Sequence, residues 1–369
     1  MGATLLDADG SELQQVDPVS LASLSILYLG TRDGTSLDRA NAMLRLGHHV
    51  HHIDLRRLMP QTAWMYRVTW KLGGQVFAPW ILRALPKALA GQRYDICFVD
   101  SGEWVTPRII SLLRRYTDKV VNYCIDDPFG VRDVARFKAY RRSLPFYDLC
   151  AVVRPDNVIE AKNAGAKRVL RVFMSSDEVT HAPRLLTEED TIRWGTDVLF
   201  LGTWFPERGP FLLQLIKLGV PVTIRGTNWK KAPEWPDLQS AWKGGPVRGD
   251  DYAKAIQCAK VNLGLLSKGN RDLHTTRSLE IPALGGLLCA ERTSEHLGMY
   301  IEGKEALFWD DAAECAAACR WALGHEEQRL KIAAAGQVRN IANRIRNETV
   351  ISEILTRAFA NYETQENRP

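Results

Sequence analysis

The run Leu24-Ser-Ile-Leu-Tyr-Leu-Gly30 decides the fold class, because a short β-rich segment ends in glycine and is followed by a polar loop. A helical pattern of apolar residues then extends from Leu37 to Leu46, and Val50 to Leu55 has the pattern of the next strand. This order of strand, loop, helix and strand is typical of a parallel α/β sheet. The order begins again at Asp197-Val-Leu-Phe-Leu-Gly202, so the sequence predicts two such series.

The length of 369 residues agrees with two domains. We predict a flexible N-terminal tail over residues 1–20, a Rossmann-like domain over 21–175, a linker over 176–195 and a second Rossmann-like domain over 196–347. A last helix over 348–362 is expected to pack back on the first domain. Two such α/β domains can face each other across a cleft, and folds of this kind bind ligands at the carboxyl ends of their strands.

The composition excludes several classes of protein. With 46% hydrophobic and 25% charged residues the chain has ordinary globular composition, and its net charge of +5 is too small to indicate nucleic acid. The seven cysteines contain no CxxC pair, which favours small core residues in a reducing compartment over a zinc site. Residues 1–20 lack an apolar core, so no signal peptide is predicted, and the longest apolar runs are too short to cross a bilayer. We therefore expect a cytoplasmic protein.

The most informative stretch is Asn270-Arg-Asp-Leu-His-Thr-Thr-Arg-Ser-Leu-Glu-Ile-Pro-Ala-Leu-Gly-Gly286, where a polar loop runs into a predicted helix. Free amides and the positive end of the dipole at such a helix start suit a diphosphate. Glu280 could accept hydrogen bonds from two vicinal ribose hydroxyls, and Asp272 would share its face if the helix began near Asp272. An equally good interpretation makes Thr275 an N-cap and Glu280 an exposed charge.

This stretch resembles the signature of GT-B glycosyltransferases, in which an acidic residue, seven spacers and a Glu precede a helix that ends in Ala-x-Gly. The second domain is similar to the CgeB-like (spore-maturation-protein-like) glycosyltransferases, and the resemblance covers about residues 95 to 345. One departure is Asp272, where the wider pattern usually has Glu. The residues that carry the likeness are Asp272, Glu280-Ile-Pro-Ala-Leu-Gly285, Phe200-Leu-Gly-Thr-Trp204, Arg208-Gly209, Arg225-Gly-Thr-Asn-Trp229, Tyr252, Val261-Asn-Leu-Gly264 and Cys124-Ile-Asp-Asp-Pro-Phe129.

The resemblance implies that the second domain binds a nucleotide-diphosphate sugar, with UDP the commonest nucleotide for the fold. Glu280 would bind the ribose, while the amides from Thr275 to Arg277 and the cations Arg208 and Arg277 would bind the diphosphate. Trp229 fits the base pocket or the core equally well. The full set of expected donor-binding residues is Gly202, Thr203, Arg208, Arg225, Gly226, Asn228, Trp229, Asp272, His274, Thr275, Thr276, Arg277 and Glu280.

The first domain would bind the acceptor or the transferred sugar through the loop that holds Gly30, Thr31, Gly34 and Thr35. Carboxylates at carboxyl strand ends are the candidates for catalysis, because an inverting enzyme needs a general base for the acceptor hydroxyl. A retaining enzyme needs none, since the leaving phosphate can take that proton, and the resemblance favours retention. Adjacent Asp126 and Asp127 fit capping around Pro128 equally well. The catalytic candidates are Asp33, Glu103, Asp126 and Asp127.

We expect neither a metal nor another cofactor. No DxD motif of the kind used by metal-dependent glycosyltransferases follows a strand, and the resemblance implies that cations and a helix terminus supply the charge instead.

Residues 55–94 form a basic aromatic insert with no Asp or Glu. Basic residues with tryptophan at helical spacing suit an interfacial helix on an anionic membrane, and would also suit a lipid-linked pyrophosphate or an acidic glycan. The alternative packs Trp64 and Trp70 into the core, and no motif supports nucleic acid. The insert contains Arg56, Arg57, Trp64, Tyr66, Arg67, Trp70, Lys71, Phe77, Trp80, Arg83, Lys87 and Arg93.

The function predicted from these observations is transfer of a sugar to a glycan, lipid-linked or protein acceptor, as in polysaccharide or glycoconjugate biosynthesis. The insert over residues 56–93 would place the enzyme at the inner face of a membrane. Two alternatives stay open, a non-catalytic module that binds a nucleotide sugar and a nucleotide-sugar epimerase of the same fold.

Overall fold

The computed structural model describes residues 22–59 and 62–360, which form two units. The N-terminal unit contains residues 22–173 and 347–360, and the C-terminal unit contains residues 174–346. The predicted tail over residues 1–20 lies outside the described residues. Among the described helices, none combines the length and the apolar character needed to cross a membrane.

The N-terminal unit is built on a six-stranded sheet with the strand order β2-β1-β3-β4-β5-β6, in which every neighbouring pair is parallel. The central strands are buried on both faces, which explains their continuous apolar runs. The strands are β1 (Ser25–Leu29), β2 (His49–Ile53), β3 (Tyr94–Asp100), β4 (Thr117–Cys124), β5 (Leu149–Val152) and β6 (Val169–Arg171).

Among the residues that the structure describes, seven α-helices accompany this sheet. The last helix of the unit buries its apolar side and contacts the first helix. Between these two helices, Arg45 Nε donates a hydrogen bond to Glu348 Oε1 at 2.5 Å. The basic aromatic insert contributes α2 and α3, and Met65 of α2, Phe77 of the turn between them and Ile81 of α3 pack into the core. The helices are α1 (Gly34–Arg45), α2 (Ala63–Leu72), α3 (Ala78–Leu89), α4 (Pro107–Leu113), α5 (Lys138–Ser143), α6 (Pro155–Asn163) and, at the end of the chain, α15 (Asn347–Phe359).

The exposed side of the insert corrects one interpretation of the sequence. Trp64 and Trp70 are both exposed, so the alternative that packs them into the core is wrong. The apolar residues of the insert that do pack inward are Met65, Phe77, Ile81 and Leu85.

The C-terminal unit has a second parallel sheet, with the strand order β11-β10-β9-β7-β8. Its strands are β7 (Thr196–Leu201), β8 (Val222–Arg225), β9 (Ala259–Gly264), β10 (Leu288–Glu291) and β11 (Leu307–Trp309). Its helices are α7 (Glu188–Trp194), α8 (Arg208–Lys217), α9 (Trp235–Leu238), α10 (Gly249–Cys258), α11 (Arg277–Ala283), α12 (Ser294–Met299), α13 (Ala312–Gly324) and α14 (Glu326–Ala342). Two α/β units with parallel sheets confirm the predicted fold class.

Residues 176–195 are folded within the C-terminal unit rather than forming a linker. Asp177 accepts hydrogen bonds from the amides of Val179 and Thr180, and a capping box between Thr187 and Asp190 begins α7. Polar side chains that bond to nearby amides hold this segment, so it lacks the apolar periodicity that would have identified it from the sequence.

Candidate functional sites

Glu280 lies in the middle of α11 and is only 5% exposed. The Tyr252 hydroxyl donates a hydrogen bond to Glu280 Oε2, and His181 Nε2 lies 3.6 Å from Glu280 Oε1. Burial acts to raise the pKa of Glu280, but the proximity of His181 and Arg277 and the hydrogen bonds from Tyr252 and Thr276 outweigh it, so this pKa is lowered. Glu280 is therefore a buried carboxylate held in its ionised form, and the interpretation as an exposed charge is wrong.

Two of its neighbours were not assigned to the site from the sequence. Burial, and then the charge of Glu280, raise the pKa of Tyr252 well above its ordinary value, so its hydroxyl keeps the proton that it donates. His181 Nδ1 accepts from the amide of Asp177 at 2.8 Å, which leaves Nε2 as the nitrogen that faces Glu280. The only signal for Tyr252 was its place in the family resemblance, and His181 lay in the predicted linker.

Arg277 is the first residue of α11, and its Nε donates to the carbonyl oxygen of Leu201 at 2.5 Å. Leu201 ends β7, so this bond ties the start of α11 to the carboxyl end of that strand. Within the described chain, no other hydrogen bond or ion pair of the Arg277 guanidinium is seen. Its Nη groups and its charge are therefore available to an anion.

Arg208 has a role that the sequence did not predict. Its buried guanidinium donates to the carbonyl oxygens of Thr203, Leu265 and Leu266 at 3.0, 3.0 and 3.3 Å. It also lies 4.5 Å from the centre of the Phe205 ring. Arg208 joins the loops after β7 and β9, and its contact with a diphosphate stays a prediction.

The loops after β7 and β8 approach each other closely. A Cβ on Gly226 would lie 1.9 Å from the carbonyl oxygen of Gly202, and the φ of Gly226 is 144°, so only glycine fits. Trp229 is fully buried, donates to the carbonyl oxygen of Gly202 at 2.9 Å and packs on Phe200. Trp229 is thus a core residue, and its assignment to the base pocket is corrected.

The remaining polar residues of these loops are held by short contacts. Thr203 Oγ1 and Thr227 Oγ1 lie 2.9 Å apart, and Asn228 adopts a left-handed conformation with φ of 66°. The Arg225 guanidinium lies 4.7 Å from the centre of the Trp194 ring, and burial lowers its pKa. The structure brings these predicted residues to the carboxyl ends of β7 and β8.

The loop before α11 differs from the expected arrangement. The helix begins at Arg277 with Thr276 as its N-cap, so Thr275 is not the N-cap and Asp272 precedes the helix instead of sharing a face with Glu280. Thr275 donates its amide to Ser278 Oγ at 3.0 Å, while its own buried Oγ1 has no hydrogen-bond partner among the described residues.

His274 supports the loop and does not face open space. Its ring is buried, Nε2 accepts from the amide of Met174 at 3.0 Å, and Nδ1 is hydrogen-bonded to Glu295. Both ring nitrogens are thus used within the C-terminal unit. The prediction that His274 contacts the donor is corrected to a role in positioning this loop.

In the N-terminal unit an open pocket with a volume of about 50 Å³ lies at the carboxyl ends of β1, β2 and β3. Strand β1 pairs with β2 on one side and β3 on the other, so the pocket occupies the topological switch point of the sheet, where such folds bind ligands. We call it the acceptor-side pocket, and it is lined by Gly30, Thr31, Asp54, Asp100, Glu103 and Trp104 among others. Gly34 and Thr35 form the start of α1.

Arg136 gathers two of the predicted catalytic carboxylates. Its Nε pairs with Glu103, and its Nη2 lies 3.1 Å from Asp126 Oδ2. Burial lowers the pKa of Arg136, but these two charges outweigh burial and raise it above its ordinary value. Neither carboxylate is poised as an unpaired base.

The other two carboxylates differ sharply. Asp33 is exposed, and its Oδ2 lies 3.4 Å from Arg56 Nη2. Asp127 is buried and accepts from the amides of Phe129 and Gly130 and from Asn157 Nδ2. These bonds make Asp127 a structural cap around Pro128, which corrects its assignment as a catalytic residue.

Three thiols come together in the core of the C-terminal unit. The Sγ atoms of Cys289, Cys315 and Cys319 lie within 4.8 Å of one another, and all three residues are buried. They pack among the aliphatic side chains of that core, as predicted for small core residues.

The comparisons with known proteins agree with this architecture. Residues 208–356 match a family model described as glycosyl transferase-like. Comparison with curated proteins found no match. Sucrose-phosphate synthase from Thermosynechococcus elongatus is 13% identical, with a TM-score of 0.63 over 90% of this chain and 98% of its own.

Two further solved structures are similar over nearly their whole length. The catalytic domain of starch synthase IV from Arabidopsis thaliana, bound to ADP and acarbose, is 9% identical with a TM-score of 0.64, over 91% of this chain and 99% of its own. HepE from Anabaena, in complex with UDP and glucose, is 14% identical with a TM-score of 0.60, over 90% of this chain and 100% of its own. At these identities the likeness shows the fold, which is of the GT-B type.

Residues 208–356 therefore resemble the glycosyl transferase-like family, and the chain has a fold of the GT-B type. The narrower resemblance to the CgeB-like glycosyltransferases stays a prediction.

Proposed function

We propose that the protein transfers a sugar from a nucleotide-diphosphate donor, with UDP the first nucleotide to test, to a glycan, lipid-linked or protein acceptor. The observation that carries this proposal is the buried, ionised Glu280 one turn after Arg277 in α11. A carboxylate can accept hydrogen bonds from two vicinal hydroxyls, and a guanidinium one turn away suits a diphosphate. The solved structure of HepE with UDP and glucose supports this choice of nucleotide.

The residues at the start of α11 would also stabilise the leaving group, which is the nucleoside diphosphate. Negative charge builds on the diphosphate as the glycosidic bond breaks, and the Arg277 Nη groups and the amides of Thr276 and Arg277 would stabilise it. A charge held in place before reaction acts more on the transition state than on the ground state. No metal is required for this role, so we expect EDTA to leave turnover unchanged.

Retention of the anomeric configuration is the preferred course. Glu103 and Asp126 share Arg136, Asp127 is a structural cap and Asp33 lies near Arg56, so all four predicted carboxylates have other partners. In a retaining reaction the acceptor proton passes to the leaving phosphate oxygen, and no carboxylate is needed. The anomeric configuration of the product, read by NMR, tests this part of the proposal.

Isothermal titration calorimetry with UDP, GDP, ADP and their glucose derivatives tests the donor site. We expect Glu280→Gln to weaken binding of one nucleotide series by about 10- to 100-fold, because hydrogen bonds to a charged group contribute about 1.5–3 kcal/mol. Glu305→Gln is the matched control, since Glu305 Oε2 is also hydrogen-bonded, to Arg339 Nε at 2.9 Å, but lies outside this site. Absence of binding by the folded protein, or equal losses in both variants, would refute the proposal.

Analysis of the products formed from a nucleotide sugar, with and without acceptor, separates a transferase from an epimerase and from a binding module. A transferase releases the nucleoside diphosphate when acceptor is present, an epimerase returns an altered nucleotide sugar without any acceptor, and a binding module does neither. We also propose that residues 56–93 hold the enzyme at the inner face of a membrane, where it would meet a lipid-linked acceptor.

A further inference from the structure

Helices α2 and α3 expose three tryptophans to solvent. Trp64, Trp70 and Trp80 are 52%, 55% and 53% exposed, and Leu72 beside them is 55% exposed. The described chain has only one other exposed tryptophan, Trp321 on α13. Large apolar side chains gathered in this way on a surface mark an interaction site.

Four cations accompany these tryptophans. Arg67 and Lys71 lie on α2, Arg83 and Lys87 lie on α3, and all four are exposed. Within the described residues, none of the four takes part in an ion pair, in contrast to Arg56 and Arg93 of the same insert. Residues 55–94 contain no acidic side chain, so this segment itself contributes only positive charge.

The exposed rings are connected to the acceptor-side pocket. Phe77 is buried between them, with its ring centre 6.0 Å from that of Trp64, 6.3 Å from that of Trp80 and 5.3 Å from that of Trp104. Trp104 lines the pocket and donates to Glu103 Oε1 at 2.9 Å. Trp70 is connected to the pocket through Arg136. The Arg136 guanidinium lies 5.1 Å from the centre of the Trp70 ring and pairs with Glu103, which lines the pocket.

We propose that Trp64, Trp70 and Trp80, with the cations Arg67, Lys71, Arg83 and Lys87, dock the N-terminal unit on an anionic phospholipid bilayer. Tryptophan rings bury favourably at the boundary between headgroups and acyl chains, and arginine and lysine bind the anionic headgroups. Exposed Leu72 and the exclusively positive side-chain charges of residues 55–94 favour a bilayer over a soluble glycan as the partner. The acceptor-side pocket then opens beside the bilayer, so the acceptor is a lipid-linked one. That last step rests on the proposed function, whereas the docking itself does not.

Co-sedimentation of the full chain with vesicles tests the docking without any nucleotide. We expect binding to phosphatidylglycerol vesicles, at least tenfold weaker binding to phosphatidylcholine vesicles, and a loss of binding as salt is raised, since salt screens the headgroup charge. Arg67→Gln with Lys71→Gln should weaken binding about 25-fold, because each cation near an anionic surface contributes about fivefold. Trp64→Ser with Trp80→Ser should weaken it about tenfold or more.

Matched controls come from the C-terminal unit. Trp321→Ser removes the other exposed tryptophan, and Lys217→Gln with Lys304→Gln removes two exposed cations, so these variants should bind vesicles as the parent protein does. Circular dichroism and nucleotide titration of every variant show whether the fold and the donor site are intact. A vesicle failure with normal nucleotide binding therefore overturns docking alone.

Three results would contradict the inference. These are equal binding to both kinds of vesicle, equal losses in the control variants, and no vesicle binding together with binding of a soluble acidic glycan that the Trp64→Ser/Trp80→Ser variant loses. The last result would identify the tryptophans as a platform for sugar rings.

Discussion

The charged side chains around Glu280 in the C-terminal unit and those around the acceptor-side pocket in the N-terminal unit differ in their partners. Glu280 is buried, ionised and surrounded by hydrogen-bond donors, with the Nη groups of Arg277 left available. Around the acceptor-side pocket the carboxylates are paired with arginine, as Glu103 and Asp126 are on Arg136. Under the proposed function, the first region would bind an anionic, hydroxyl-rich ligand, and the second would position a ligand without a dedicated base.

The largest effect should come from Arg277→Ala. We expect turnover to fall about 100- to 1000-fold, because a donor aimed at developing negative charge contributes about 2.7–4 kcal/mol to the transition state. Arg320→Ala is the control, since Arg320 also donates one hydrogen bond to a backbone carbonyl oxygen, that of Leu218, at 3.0 Å. Steady-state kinetics measure both variants, and equal losses would remove the distinction between the two regions.

A smaller effect is expected from Tyr252→Phe. The variant loses the hydrogen bond that helps to lower the pKa of Glu280, so this pKa should rise towards its ordinary value. Donor binding is complete above the pKa of Glu280 and is lost as pH falls through it, so the loss should begin at higher pH in the variant. Affinity at neutral pH should change little, because a carboxylate with its ordinary pKa is still ionised there.

Tyr28→Phe is the control for this pH experiment. The Tyr28 hydroxyl donates to Asp100 Oδ2 at 2.7 Å in the N-terminal unit, so its loss removes a matched bond between a buried tyrosine and a carboxylate. Calorimetric titration of the nucleotide across pH should leave the midpoint of this control unchanged. An unchanged midpoint in Tyr252→Phe as well would mean that Glu280 does not govern donor binding.

The smallest effects should come from the acceptor side. Under retention, Glu103→Gln, Asp126→Asn and Asp33→Asn should each keep the rate to within about tenfold, because none serves as the general base. Removing a general base typically costs 10²–10⁴-fold in rate. A loss of kcat of that size in any one variant would identify an inverting enzyme. Both regions would then hold a side chain that takes part in the reaction.

The architecture could be predicted because it depends on local pattern. Two series of apolar strands that end in glycine, such as the one that closes at Gly30, specify two parallel α/β units. The polar loop that runs into α11 was recognisable for the same reason, since Glu280 and Arg277 are neighbours along the chain. Such patterns can be read from a sequence because helices and strands each repeat with a fixed number of residues.

The sequence by itself therefore determined the fold class, the position of Glu280 and the one-sided charge of residues 55–94. The tertiary structure alone decided that Tyr252 and His181 meet Glu280, that Arg136 pairs with Glu103, and that Trp229 lies in the core. Burial and long-range hydrogen bonds depend on which distant segments pack together. Neither property is encoded in the local order of residue types, so each required the folded chain.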